Sequence, residues 1–294
     1  MLEPIRNIPA DQPVLIAGPT ASGKSALALA IAEVGGGRII NADALQVFAN
    51  WSVLTARPPE DDLRRAPHSL YGHVARTDSY SVGAWLRDVA PLLTEGPRPI
   101  IVGGTALYFR ALTEGLADIP PIPPAIRAES VERLEAIGLP AMVAELEAEV
   151  AQTIDTANPM RVLRAWEVSR ATGRSIRAWQ AETPPPLLPL SSCAHFLIDA
   201  PKDWLTPRIE RRFDMMLAAG ALEEAQANLA DWQPGLNSSQ AIGAPELIAH
   251  LKGELTLSAA RERAIIATRR YAKRQRTAFK ARMKTWRPVN AADL

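Results

Sequence analysis

Apolar residues along the chain fall into short continuous runs that stop at a glycine or an acid. PVLIAG (residues 13–18), RIINAD ending at Asp43, PIIVGG ending at Gly104 and HFLIDA ending at Ala200 are each too short for a helix. Each is bounded by turn residues, the pattern of buried parallel strands. Between them apolar positions recur at helical spacing, beginning with the Ala/Leu-rich stretch Ser25–Val34. This alternation predicts an α/β fold, a parallel sheet flanked by helices with ligands at the carboxyl ends of the strands, and the GPTASGKS loop that follows the first run makes it P-loop NTPase-like.

Two proline-rich breaks, IPPIPP at Ile119–Pro124 and TPPPLLPL at Thr183–Leu190, enclose a stretch without strand signals. The expected organisation is a core of residues 1–118 and 191–294 carrying an all-helical insert at 119–190. Within the insert Leu139, Met142, Val143, Leu146 and Val150 repeat at helical spacing, and Asn158-Pro159 has the form of an N-cap followed by proline at the first helical position. Beyond Ala200 the chain reads as helical nearly to its end. Ile209, Phe213, Met216 and Leu217 mark one face, Gly220 a stop, and Ile265, Ile266, Tyr271 and Phe279 the core side of a last long helix.

Charge sharpens this picture only locally. The formal net charge is +1, yet Arg261–Arg287 contains eleven Lys or Arg and one acid, Glu262. A helix with cations all round faces something charged. No run of about 18 apolar residues suggests a membrane span, and the first residues, MLEPIRNIPADQP, lack a signal peptide's apolar core. The single cysteine, Cys193, excludes an internal disulfide or a Cys-cluster zinc site and reads as an inert buried thiol. His68 and His73 have no nearby acids in sequence and read as loop or core histidines rather than a metal pair. A cytoplasmic address is the default expectation.

The strongest chemical signal is GPTASGKS, Gly18, Pro19, Thr20, Ala21, Ser22, Gly23, Lys24 and Ser25, which fits G-x-x-x-x-G-K-[ST] at every fixed position between a strand and a helix. Gly18 and Gly23 let backbone N–H groups point at phosphate oxygens, and the helix adds its positive end. Lys24 reaches the terminal phosphates and the Ser25 hydroxyl can ligate a phosphate-bound Mg²⁺. No N-K-x-D guanine reader occurs. Asp43 and Asp199 end strands and could each serve as metal acid or general base, although Asp199, just before Pro201, fits a capping role as well. GGTALY (residues 103–108) places the Thr105 hydroxyl beside paired glycines, a weak signal alone.

GPTASGKS, NADALQVF, PHSLYGHV with YSVGAW, VGGTALYFRAL, NPMRVLRAWEVSRATGRS, QAIGAPE and TRRYAKRQRTAF occur in that order from about Val14 to Met283. The ordered set resembles the bacterial tRNA dimethylallyltransferases, also called tRNA isopentenyltransferases. The resemblance implies that the loop holds the diphosphate of dimethylallyl diphosphate, which leaves instead of being transferred. The acceptor it implies is N6 of the adenosine 3′-adjacent to the anticodon, in tRNAs reading codons that begin with U. It gives Asp43 the role of catalytic base and puts Thr105 near the reacting adenine. Arg208 and Arg212, on one helix face, are candidates for the leaving group. The tRNA contacts it implies are Asp43, Ala44, Leu45 and Gln46, Thr105, Arg127, Met160, Arg161, Val162, Leu163 and Arg164, and Gln240, Ala241, Ile242, Gly243, Ala244 and Pro245. Partners are therefore the tRNA anticodon stem-loop and dimethylallyl diphosphate, with Mg²⁺, no membrane, and a monomer expected.

The chain departs from the family pattern near the tRNA surface. Ala44 and Leu45 stand where Ser-Arg is usual, VLTARP replaces IGTAKP, and IGAPE replaces IGYKE. Diphosphate chemistry with altered substrate preference is the expectation this carries. A small-molecule kinase on the same core, and a tRNA-binding protein without activity, are the alternatives.

Overall fold

The structure, a computed structural model, describes residues 8–294. The strands β1 Val14–Ala17, β2 Arg38–Asn41, β3 His68–Ser69, β4 Pro99–Gly103, β5 Ala194–Asp199 and β6 Arg287–Asn290 form one six-stranded sheet in the order β3-β2-β4-β1-β5-β6. Every pairing is parallel. The four apolar runs become β1, β2, β4 and β5. The edge strands β3 and β6 have no such run: one is two residues long and the other contains Pro288, which an edge tolerates.

The sheet separates two cores, because successive strand side chains point to opposite faces. Val14, Ile16, Ile100, Val102, Phe196 and Ile198 enter one. Leu15, Ala17, Ile40 and Ile101 enter the other. Helices Lys24–Gly35, Lys202–Ala218, Ala221–Leu229 and Ala244–Leu251 close the first core. Val82–Val89 and Ala106–Glu114 close the second through Trp85, Val89, Phe109 and Leu112. Sandwiching between two helical layers is why the strands read as unbroken apolar runs rather than alternating ones.

The helix Leu257–Arg282 begins at Thr256, whose hydroxyl accepts from the Ala259 N–H. It gives Ala264, Ile265 and Ala272 to the first core and Phe279 to the second. It therefore crosses from one face of the sheet to the other. Ile266 corrects the sequence expectation: it is exposed, since a helical residue next to the buried Ile265 is turned about 100° away from it. Cys193 is buried, and burial pushes its thiol pKa up.

The chain divides into two compact units, Met1–Thr113 with Leu187–Leu294, and Glu114–Pro186. The second contains helices Pro124–Ala144, Ala148–Thr153, Pro159–Thr172 and Ile176–Ala181. The Asn158 side chain accepts from the Met160 N–H, and Pro159 follows as the first helical residue. The 139–150 repeat is not one helix. Gly138, at φ 76°, kinks the first helix, and the chain turns again at residues 145–147 before the helix Ala148–Thr153, which contains Val150. Leu139, Met142, Val143 and Leu146 still converge on Val162 and Leu163, so their common burial outlives the break.

Candidate active site

The carboxyl ends of β1, β2 and β4 lie side by side, and the site is assembled on the loops that leave them. After β1 the chain turns through Gly18–Gly23 into the helix that starts at Lys24. Gly23 has φ 92°, a left-handed conformation that glycine adopts without strain. At Gly18 an added Cβ would stand 2.8 Å from Ser22 Oγ and 3.1 Å from Ile198 Cβ, so only glycine lets the loop lie against β5. Ser22 Oγ is buried without a hydrogen-bond partner in the chain, a polar atom left over inside the loop.

Lys24 folds back over the loop, its Nζ 3.4 Å from the Pro19 carbonyl, and is buried. Burial lowers its ammonium pKa to about 8, with the Asp43 carboxylate opposing the fall and the Arg212 guanidinium adding to it. A cation so poorly solvated gains most from an anionic ligand. Arg212 is likewise pushed down by burial and held up by Asp43.

Asp43 is buried just past β2, in a turn built by Asn41. The Asn41 side chain accepts from the Asp43 N–H at 2.9 Å and donates to the Asp43 and Leu70 carbonyls, both at 3.0 Å. Asp43 Oδ1 accepts from the Leu45 N–H at 3.1 Å. Thr105 reaches across from the β4 turn, its Oγ1 accepting from the Ala44 N–H at 3.0 Å. Gly104 is needed there: a Cβ on it would lie 2.9 Å from Asp43 Oδ2 and 2.1 Å from Gln275 Nε2.

These groups surround two adjoining cavities. The inner one, about 60 Å³, is lined by Lys24, Asp43, Arg212 and Tyr271 on its polar side and by Leu54, Ile209, Phe213, Met216 and Ile242 on its apolar side. The outer one, about 310 Å³, is lined by the loop residues 21–25 together with Arg208, Arg211, Arg212 and Gln46. Lys24, Gln46 and Arg212 border both. Arg208 donates to the Ala21 carbonyl at 3.4 Å and lies 4.2 Å over the Trp204 ring. Arg211, at the outer cavity, escaped the sequence reading because that reading followed the four-residue spacing of Arg208 and Arg212.

Several other residues were not legible either. Glu224 accepts from three successive backbone N–H groups, those of Ser52 (2.5 Å), Val53 (3.0 Å) and Leu54 (2.9 Å). The turn so held presents the Thr55 and Ala56 carbonyls, and both accept from Gln46 Nε2, at 2.8 and 3.0 Å. Gln275 links the Thr20 N–H to the Gly104 carbonyl. A signal for it existed: Ile265, Ala272, Gln275 and Phe279 fall on one three-four stripe of the last helix, and Gln275 is its uncharged polar member.

The expected tRNA contacts divide by burial. In the core unit Leu45 and Ile242 line the inner cavity, and Gln240 and Pro245 are exposed. Ala241 and Ala244 are buried in the first core, so their side chains are structural and not contacts. In the helical unit Met160 and Arg161 are exposed and Arg164 is partly so. Val162 and Leu163, by contrast, pack on Met142 and correct the expectation that they touch a ligand. They sit on the inward stripe of a helix whose arginines face out. On the last helix Arg261 pairs with Asp214 at 2.5 Å and Arg269 with Glu210, while Arg263, Arg270, Lys273 and Lys280 are exposed.

Oxygen donors for Mg²⁺ are few. Among the described residues no group of three or more His, Cys, Asp or Glu could hold a metal by itself. Ser25, exposed at the outer cavity, fits the usual arrangement in which the ion arrives with a phosphate and keeps several waters. Among the described residues no helix is long and apolar enough to cross a membrane.

Comparison with known proteins bears on family and fold. A family model described as IPP transferase matches residues 46–282, and one described as isopentenyl transferase matches residues 12–70. The tRNA dimethylallyltransferase of Dinoroseobacter shibae is 61% identical over 291 residues, covering 98% of each chain. That of a Ruegeria species is 59% identical over 286 residues, covering 97% of this chain and 98% of the relative. The full-length tRNA isopentenylpyrophosphate transferase of Bacillus halodurans, a crystal structure, is 29% identical with a TM-score of 0.68, over 96% of this chain and 90% of that one. A eukaryotic dimethylallyltransferase crystallised acting on tRNA shares the fold at a TM-score of 0.80 and 24% identity, over 95% of this chain and 73% of its own. A match through most of the chain, joined to such identity along its whole length, leaves one conclusion: the chain belongs to the IPP transferase family, that of the tRNA dimethylallyltransferases.

Proposed function

We propose that the chain transfers a dimethylallyl group from dimethylallyl diphosphate to N6 of the adenosine 3′-adjacent to the anticodon, in tRNAs reading codons that begin with U, and releases diphosphate. The observation that carries this reading is that Lys24, Arg212 and Asp43 border one cavity that also has an apolar side, lined by Leu54, Ile209, Phe213, Met216 and Ile242. Transfer needs all three features together.

In this mechanism the allylic C–O bond breaks and its electron pair stays on the diphosphate. The loop N–H groups, Lys24, Arg208 and Arg212 stabilise the charge that develops there. Ser25, with the diphosphate and water, would hold Mg²⁺, which would further neutralise the same charge. The adenine amine attacks the allyl carbon and forms the C–N bond while Asp43 takes its proton. Thr105 and Asn41 keep the Asp43 turn in place. Leu54, Ile209, Phe213 and Met216 are the side chains available to cover the five-carbon chain and exclude water from the cation.

The adenine lies in a stacked loop and must be turned out to react. Arg127, Arg161 and Arg164 of the helical unit, and the exposed cations of the last helix, are suited to anticodon stem-loop phosphates. The working unit in this reading is a monomer. The reading carries a cytoplasmic address, since tRNA is the acceptor. Its test is mass spectrometry of nucleosides from an anticodon stem-loop RNA incubated with the protein, Mg²⁺ and either dimethylallyl diphosphate or ATP. A dimethylallyl mass gain on adenosine with the first donor alone is expected. Phosphoryl or no transfer would overturn the reading.

A further inference from the structure

The reading above leaves Gln275 without a task, although the residue sits in the middle of the site. It is buried, with 5% of its surface exposed. Its Oε1 accepts from the Thr20 N–H at 2.9 Å and its Nε2 donates to the Gly104 carbonyl at 3.0 Å. Thr20 belongs to the phosphate loop after β1, and Gly104 to the turn after β4 that carries Thr105. One carboxamide thus spans the two loops that would hold the two halves of the reaction.

Nothing else could make both bonds in the same space. The span requires an acceptor toward Thr20 and a donor toward Gly104, which among side chains of this size only an amide supplies irrespective of pH. Close approach is built in on the other side as well. Gly104 has no Cβ, and one placed there would meet Gln275 Nε2 at 2.1 Å and Asp43 Oδ2 at 2.9 Å. The amide and the proposed base therefore flank a single glycine. One turn earlier on the helix, Tyr271 lines the inner cavity. The helix is anchored on both sides of this point, by Ala272 in one core and Phe279 in the other, so the amide has little freedom to drift.

We propose that Gln275 is a positioning residue that fixes the span between the diphosphate loop and the Gly104–Thr105 turn, and through it the distance from the leaving group to Asp43. This rests on the transfer reading of the site. A misplacement of about 1 Å between reacting groups costs about a hundredfold in rate. The loss should therefore fall on kcat, because the remaining loop N–H groups and Lys24 still bind the donor.

Two variants test it. Gln275→Leu removes both bonds at similar size; kcat is expected to fall about 30- to 100-fold while KM for dimethylallyl diphosphate changes less than about threefold. Gln275→Glu separates positioning from packing. An ionised glutamate accepts from Thr20 but confronts the Gly104 carbonyl with a second acceptor, whereas the protonated acid makes both bonds. Burial and the Asp43 carboxylate on the other side of Gly104 favour protonation, with Lys24 opposing.

The ratio of variant to wild-type kcat/KM should accordingly climb about tenfold or more as pH falls from about 8 to about 6, titrations common to both enzymes cancelling in the ratio. A ratio flat with pH would overturn the proposal, as would a Gln275→Leu enzyme within threefold of wild type. If the leucine variant does not fold, the glutamate ratio still decides. A wild-type chain that transfers no prenyl group would sink the transfer reading itself, a different result.

Discussion

The depressed Lys24 pKa gives a prediction with opposite signs for binding and for folding. In the free protein the ammonium loses its proton around pH 8, against 10.5 for an exposed lysine, chiefly because it is buried. The difference of about 2.5 units corresponds to about 3 kcal/mol at 1.36 kcal/mol per unit. A diphosphate placed on Nζ favours the charged form, so ligand binding takes up a proton once the free lysine is neutral. Each pH unit above about 8 should then weaken binding of a non-reacting dimethylallyl diphosphate analogue about tenfold, or about 1.4 kcal/mol. The ligand's own last ionisation, near pH 6, does not interfere.

Isothermal titration at about pH 7.5, 8.5 and 9.5, in two buffers of different ionisation enthalpy, reads both the affinity and the proton taken up. Lys24→Arg, always charged, should bind with little pH dependence over that range. Folding runs the other way. Between about 8 and 10.5 the unfolded chain holds more protons at this site than the folded one, so stability rises with pH across that window. The urea-derived stability of wild type minus that of Lys24→Met should show the rise. An affinity unchanged from pH 7.5 to 9.5 would refute the buried, poised lysine.

Asp43→Asn is expected to lower kcat by about 10²–10⁴ while stem-loop affinity stays within a few fold, read by single-turnover transfer beside filter binding; retained turnover would remove Asp43 as the base. Glu224→Ala leaves three N–H groups of the 52–54 turn without their carboxylate and should cost about 3 kcal/mol in urea unfolding, with Glu223→Ala as a near-neutral control. Because that turn holds Gln46, the same variant should also raise KM for tRNA or donor in a temperature where it remains folded. Arg161→Ala with Arg164→Ala should weaken stem-loop binding and make the slope of log affinity against log salt shallower by about one to two, without changing the donor KM. An unchanged slope would show that these arginines face no phosphate.

How far the sequence carried depended on the range of the interactions involved. The phosphate loop, the Ala-rich helix and the four interior strands are written in adjacent residues, and each formed where the apolar runs and glycines put it. Edge strands were invisible because half-exposed segments such as Arg287–Asn290 have no apolar run to read. Within the helical unit the spacing of Leu139, Met142 and Leu146 reported shared burial correctly, but Gly138 and the turn at 145–147 divided the helix. Gln275 and Glu224 were missed for another reason. Their partners are backbone groups 171 to 255 and 170 to 172 residues away; the buried stripe of the last helix turns Gln275 inward, but no local pattern says which distant loop an amide or a carboxylate satisfies. Val162 and Leu163 show the converse: a contiguous motif suggested one role for all its members, while helical geometry split it into an outer and an inner face.

The position of β1 in the middle of the sheet has a consequence for synthesis on the ribosome. Its partner on one side is β4, but its partner on the other is β5, with Val14 beside Ala194. At about 5–20 residues per second, β1 waits some 10–35 s for that neighbour to be made, with one edge open. The insert is translated during the interval and can fold by itself from helices close in sequence, whereas the sheet cannot close. The loop that would hold the diphosphate precedes Gln275 by 255 residues at Thr20, and Gln275 reaches it only after the helix Leu257–Arg282 has been made. A nascent chain can thus carry an intact phosphate-binding motif for most of its synthesis and still be unable to break an allylic bond.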